Sequence, residues 1–434
     1  SMSSSSPRKE EEEEEEEKQQ PQQRSSPLQV FILCGQSNMQ GHGYMDTTDE
    51  HGNFRNGTLE WLVETYPEKY NKLKEDDDEI KSNNHTHTHT RTTSHWKQRD
   101  DIYIVYNRQN VKTVRPELNQ HGYLVAGYGG DPGQEDHQMG PELGFGYALG
   151  DAFQKEKEND NNNNTDHDSI LFIKIAWGGK SLAVDFRPPS SNGTTGLYYE
   201  SVMATIYQTL ADLPQIFPHY QALYGDSGYQ LSGWGWHQGW NDGCDDIMTQ
   251  EYEDNLANLI RDIRIDLKTP HLPVSIGVSG MNGWKQEQQQ QQLLHDDDDD
   301  HDDTTTDDSS IKSEENREAI IAAQFAVANA TKYPEFAGTV QSVETRSYYR
   351  ESKASPGEQI YHWNNNCESY WLIGQAMGKA MVELVMHNTN HTTATATTTT
   401  TGNNKRTKKK NPVRENLSQQ QQRSRNELYS EVML

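Results

Sequence analysis

The strongest constraint on this chain is a rhythm of short apolar runs. Segments 28–34 "LQVFILC", 102–106 "IYIVY", 170–176 "ILFIKIA", 230–236 "QLSGWGW", 273–278 "PVSIGV" and 338–343 "GTVQSV" are rich in β-branched and aromatic residues. Helical patterns fall at 141–157, 250–267, 315–332 and 369–386. In the second of these Leu256, Leu259, Ile260 and Ile263 recur at helical spacing, so one face of that helix is buried. Strands that are apolar almost throughout cannot show one face to water. Alternating with amphipathic helices, they predict an α/β fold, a mostly parallel sheet covered on both sides.

Only 32% of the 434 residues are hydrophobic, and the polar excess is concentrated in a few runs. A Ser/Glu/Gln tract over 1–26 and a Thr-rich, then basic, stretch over 391–434 cannot bury a core. Low-complexity insertions near 75–95, 155–168 and 285–314 interrupt the rhythm at surface loops, where chain entropy tolerates them cheaply. A single folded domain over 27–390 is therefore expected. The net charge of -27 is local: Glu10 to Glu17 supply eight acids, and nine more lie between Asp296 and Asp308. The folded part then carries no broad basic face, and nucleic acid is not an expected partner. No run approaches the roughly 20 apolar residues of a membrane span. The N-terminus lacks an apolar signal core, which leaves the compartment open: cytoplasmic, or secreted after removal of a signal. Cys34, Cys244 and Cys367 are too few for a disulfide framework and read as buried free thiols, a Cys244–Cys367 bridge being the alternative.

Parallel sheets bind ligands at the C-terminal ends of their strands. Three of the predicted strands end in polar, glycine-bearing turns: Gly35-Gln36-Ser37-Asn38, Trp177-Gly178-Gly179-Lys180-Ser181 and His237-Gln238-Gly239-Trp240-Asn241-Asp242. Acyl transfer from a serine needs a nucleophile, a base and donors aimed at the oxyanion. Ser37, just past a strand, offers the hydroxyl. The Gly179 N–H and the Asn241 amide are candidate oxyanion donors, the alternatives being a steric requirement of the turn for Gly179 and a helix cap for Asn241. His362, ahead of the last helix, is the candidate base, with His237 as its rival. Gly140, in "QMGPELGFG", is a runner-up donor explained as well by a Gly-Pro helix entrance. Gln238 and Trp240 are candidate sugar-binding residues, Asp185 and Arg187 either orient a sugar hydroxyl or pin a loop, and Trp234, Trp236 and Trp363 join Trp240 either as aromatic faces at the rim or as packing of a large core.

The blocks "FILCGQSNMQGHG", "IAWGGKSLAVDFRPPS", "WHQGWNDGCDD" and "YHWNNNCESYWLIGQAMGKAM" together resemble the SGNH hydrolase superfamily, and within it the sialate O-acetylesterase and acetylxylan esterase branch, carbohydrate esterase family 6. The resemblance covers about 28–386 in the family's order. It implies a three-layer α/β/α sandwich with a flavodoxin-like sheet, Ser37 as nucleophile, Gly179 and Asn241 as oxyanion partners of the Ser37 N–H, and His362 as general base. It implies an acetylated carbohydrate as substrate and neither metal nor organic cofactor. The chain departs from the family at two points: the Asp expected three residues before the histidine is Gln359, and Trp240 stands in the third block where many relatives carry a Glu that can assist the histidine. Glu358 and Asp242 are the remaining candidates for a triad acid, a backbone carbonyl being another way to hold the ring. The missing Asp also motivates the alternative of a catalytically weak carbohydrate-binding protein that keeps the fold.

Overall fold

The computed structural model describes residues 23–24, 26–75, 96–112, 119–131, 138–159, 170–284 and 308–397. The strands are β1 (Leu28–Gly35), β2 (Gly43–Tyr44), β3 (Arg99–Asn107), β4 (Asn119–Leu124), β5 (Gln138–Met139), β6 (Ile170–Ala176), β7 (Tyr229–His237), β8 (Val274–Gly277) and β9 (Val340–Val343). The helices that matter here are α1 (Ser37–Gln40), α2 (Pro141–Asn159), α3 (Leu197–Ala211), α4 (Asp246–Asp266), α5 (Asp308–Val327) and α6 (Cys367–Thr397).

Seven strands form one sheet in the order β4-β3-β6-β1-β7-β8-β9, while β2 and β5 make a separate two-stranded ribbon. Every pairing in the large sheet is parallel except β3 with the edge strand β4. The chain fills one side of β1 first, with β3 and β6, and then crosses to the other side for β7, β8 and β9. That reversal is a topological switch point, where open α/β sheets leave a crevice beyond the strand ends. The register is level there, because Gly35 pairs with Ala176 on one side and His237 on the other. The three polar turns therefore leave the sheet side by side.

Alternation along β1 sends Val30, Ile32 and Cys34 into one core and Phe31 and Leu33 into the other. The first core packs residues of α3, α4 and α5, such as Val202, Leu256 and Ile320. The second packs α2 and α6, through Phe145, Tyr370 and Trp371 among others. The result is the expected three-layer α/β/α sandwich. Helices α2 and α6 meet backbone to backbone: a Cβ on Gly144 would lie 2.2 Å from the Trp371 oxygen, and one on Gly374 2.0 Å from the Pro141 oxygen. This close approach brings the start of α6, and the His362 loop before it, against the end of β1.

All six strand segments expected from sequence form strands of the large sheet, and each expected helical segment holds a helix. Strand β4 was not among them, because "NQHGYL" is a half-polar edge strand with no apolar run. Helix α3 was missed as well, although Tyr199, Val202, Met203 and Ile206 repeat at helical spacing. Helix α5 starts at Asp308, inside the insertion drawn to 314, and α6 runs to Thr397, past the domain boundary drawn at 390. Most of the N-terminal tail, the His-rich and Asp-rich insertions at 76–95 and 285–307, the run 160–169 and residues 398–434 lie outside the described residues. None of the described helices is long and apolar enough to cross a membrane. All three cysteines are free thiols; Cys34 and Cys367 are buried as expected, whereas Cys244 is exposed.

Candidate active site

Ser37 opens α1 directly after β1 and is 6% exposed. The turn can form only because residue 35 is glycine: a Cβ there would lie 2.2 Å from the His237 oxygen of the neighbouring strand. The first N–H groups of a helix have no intrahelical partner, so the start of α1 presents donors rather than acceptors.

The three amides around Ser37 hold three different loops. Gln36 Oε1 accepts from the Gly239 N–H at 3.1 Å and the Asn241 N–H at 3.4 Å, fixing the turn after β7. Asn38 Nδ2 donates to the Tyr361 carbonyl at 2.9 Å, while the Tyr370 hydroxyl donates to Asn38 Oδ1 at 2.9 Å, fixing the histidine loop. Gln40 Nε2 donates to the Gly130 carbonyl and to Asp131 Oδ1, fixing the loop between β4 and β5. Beneath them lies a fully buried ion pair. Lys174 Nζ donates to Glu142 Oε2 at 2.8 Å, to the Gln40 carbonyl at 2.8 Å and to the Tyr128 carbonyl at 2.6 Å. The Ser37 turn is thus bolted from below and from three sides.

After β6, Gly178 faces the serine: a Cβ on it would lie 3.7 Å from Ser37 Cβ. Gly179 adopts φ +66° with open space around its would-be Cβ, a backbone state that favours glycine. After β7, Asn241 does not cap the next helix. Asp245 does so, accepting from the Ile247 and Met248 N–H groups. The Asn241 carboxamide makes no hydrogen bond among the described residues and stands half-buried on the rim.

His362 lies in a short 3-10 segment whose next three residues, Trp363, Asn364 and Asn365, have φ of 53°, 51° and 59°. Consecutive left-handed non-glycine residues cost of order 1–3 kcal/mol each. Side-chain amides offset this: Asn364 Nδ2 donates to the Tyr349 hydroxyl and Arg350 carbonyl, and Asn365 Nδ2 to the His42 carbonyl. His362 Nδ1 lies 3.0 Å from Gln359 Oε1. An amide oxygen only accepts, so Nδ1 carries the proton and Nε2 keeps its lone pair. Burial holds the His362 pKa down, to about 4. The ring of His42 stacks on it, with centroids 4.0 Å apart and planes at 11°. His42 is itself held low, at about 3, by burial first and then by the charges of His362, Lys174 and Arg108. Neither His42 nor Tyr370 stood out in the sequence.

Several expected site residues are engaged elsewhere. Asp242 accepts from the Leu182 N–H at 2.8 Å, the Ala183 N–H at 2.9 Å and Gln238 Nε2. It ties the turn after β7 to the one after β6, and burial raises its pKa to about 6. Gln359, not Glu358, takes the imidazole. Gln238 is fully buried and saturated by Lys180, Asp242 and Tyr252. Asp185 accepts from the Ser181 N–H and pairs with Lys180. Arg187 spends its donors on the Ala183, Ser191 and Asn192 carbonyls and on Glu251. In the structure these side chains pin loops. His237 is fully buried with Nδ1 on the Gly277 carbonyl, away from the rim. The Gly140 N–H is taken by Glu142. Trp234, Trp236 and Trp363 belong to the core, leaving Trp240 as the rim tryptophan of that group. Among the described residues no group of three His, Cys, Asp or Glu side chains is placed to hold a metal.

A mostly parallel sheet with a glycine-bearing serine turn at its switch point, and further turns converging on it, suits a hydrolase, and the comparisons define the class as carbohydrate esterase. A family model described as carbohydrate esterase, sialic acid-specific acetylesterase, matches residues 27–316. The chain belongs to that family. The match takes in the first three blocks and ends before His362. No curated protein matches the chain. Among solved structures, a protein of Arabidopsis thaliana is 14% identical with a TM-score of 0.45, over 82% of this chain and 98% of that one. The structure titled NanS is 12% identical with a TM-score of 0.43, over 84% and 99%. A carbohydrate acetylesterase from Xanthomonas citri is 12% identical with a TM-score of 0.37, over 82% of this chain and 57% of that one.

Proposed function

We propose that the protein removes O-acetyl groups from acetylated sugars, of the sialate or acetylxylan type, by acyl transfer through Ser37. The observation that carries this reading is the pairing of a buried serine turn, clamped on three sides, with a histidine whose Nδ1 proton is committed to Gln359. Ser37 Oγ attacks the acetyl carbonyl as His362 Nε2 takes its proton. The oxyanion is met by the N–H groups of Ser37 and Gly179 and by the Asn241 amide. His362 returns the proton to the departing sugar hydroxyl. Water, deprotonated by the same nitrogen, then cleaves the acetyl-serine and releases acetate. No metal takes part in this scheme.

The missing carboxylate beside His362 favours a second reading, a carbohydrate-binding protein with little turnover. A glutamine orients the ring but gives the imidazolium no counter-charge. Hydrolysis of 4-nitrophenyl acetate by wild type and Ser37→Ala separates the two. The esterase reading expects a loss of at least about a thousandfold in the variant. Equal rates near background would leave the binding reading standing. Acetate release from acetylated sialic acids and acetylated xylan then ranks the substrates.

A further inference from the structure

Several glycines lie in the turns around Ser37, and one of them is not required by the fold. Gly35 is forced, since a Cβ on it would strike the His237 carbonyl. Gly179 and Gly239 have φ of +66° and +151°, where L side chains are strained. Gly178 lies outside that region. A Cβ on it would meet Gln40 Oε1 at 3.5 Å and Ser37 Cβ at 3.7 Å, both ordinary van der Waals distances, and nothing else within 4 Å. The backbone there would accept an alanine. Gly178 is exposed while Ser37 beside it is buried, so what the missing side chain provides is room next to the serine.

One wall of that room is an amide of fixed orientation. Gln40 is 4% exposed, and its Nε2 donates to the Gly130 carbonyl and to Asp131 Oδ1. Both partners only accept, so the oxygen is the atom left on the Gly178 side. Gln40 Oε1 accepts no hydrogen bond among the described residues. Resting on the esterase reading above, we propose that the space at Gly178 receives the acyl side of the substrate, and that Gln40 Oε1 accepts from a hydroxyl on the carbon next to the acyl carbonyl. The site then hydrolyses α-hydroxyacyl esters of sugars, glycolyl and lactyl among them, as well as acetyl esters, and favours them over alkyl acyl esters of the same length. The bonds made and broken are those of the deacetylation. Ser37 Oγ takes the acyl group as the sugar C–O–acyl linkage opens, His362 passes the serine proton to the sugar oxygen, and water releases the hydroxy acid.

The test uses acetyl, propionyl and lactyl esters of methyl glucoside at one hydroxyl, with kcat/KM for each divided by its alkaline hydrolysis rate. Propionyl and lactyl differ by a single hydroxyl group. Wild type is expected to favour lactyl over propionyl by about fivefold, the scale of one neutral hydrogen bond. Gln40→Met removes the acceptor and should bring that ratio close to unity, whatever it does to the overall rate through the loops Gln40 ties. Gly178→Ala keeps the backbone N–H and fills the space. It should lower the rates on propionyl and lactyl esters by about tenfold more than the rate on acetyl, with Tm close to that of wild type. A wild-type ratio of lactyl to propionyl at or below one overturns the inference and leaves the esterase reading intact. So does a loss in Gly178→Ala that is equal for all three esters, or a large fall in its Tm. Hydrolysis of acetyl alone sinks only this inference, whereas hydrolysis of none of the three by wild type sinks the esterase reading with it.

Discussion

The imidazoles of His42 and His362 lie face to face, 4.0 Å between centroids and 11° between planes. A neutral aromatic face against the proposed base shields it from water when it is neutral, and offers a cation–π contact when it takes the serine proton.

The pH dependence follows from that shielding. The base form of His362 grows as pH rises through its pKa, which burial puts at about 4 rather than the usual 6.5. Turnover in wild type should therefore rise around pH 4 and be flat from pH 5.5 to neutrality, about two units below an exposed histidine. His42→Ala admits water, so the acid limb should move toward 6.5: activity at pH 5 falls severalfold while that at pH 7.5 falls less. His42→Phe keeps the stack and should keep the limb near its wild-type position. A pH–rate profile of kcat/KM for the three proteins decides it.

Gln359 orients His362 without a charge. Gln359→Asp should move the histidine pKa upward and raise kcat at neutral pH by about tenfold, with an acid limb shifted to higher pH. Gln359→Leu leaves Nδ1 without its acceptor and should lower kcat by at least about a hundredfold with a small effect on KM. Steady-state kinetics on one acetyl ester check both signs.

A helix cap is the alternative that the sequence leaves for Asn241, and Asp245 takes the capping role. Asn241→Ala should then leave thermal stability almost unchanged while kcat falls about a hundred- to thousandfold. A drop in Tm with kcat preserved would reverse the assignment.

The Lys174–Glu142 pair is sealed beneath the serine turn. Lys174→Met strands a buried carboxylate and should cost about 3–5 kcal/mol in urea unfolding. Adding Glu142→Met should recover much of that stability. Activity should stay low in the double variant, because Lys174 also holds the Gln40 carbonyl at the end of α1.

Sequence carried the sheet well because strands buried on both faces must be apolar throughout, and it showed Ser37 to lie just past such a strand. It did not separate gripping from pinning. Arg187, Asp185 and Gln238 have the chemistry to hold a sugar, and only the structure shows the loop groups they hold. Arg317 in "ENREAII" reads as an ordinary charge on a helix; its stack on Trp240 joins elements far apart in the chain. The amides of Gln36, Asn38 and Gln40 were visible as residues but not as three anchors, because their directions depend on the tight turn that Gly35 permits.

The bond from Asn38 to Tyr361 joins residues 323 apart in the chain. Chains emerge from the ribosome N-terminus first, at about 5–20 residues per second, so the serine precedes the histidine loop by tens of seconds. In the proposed mechanism a half-made chain then carries the serine hydroxyl without its proton acceptor.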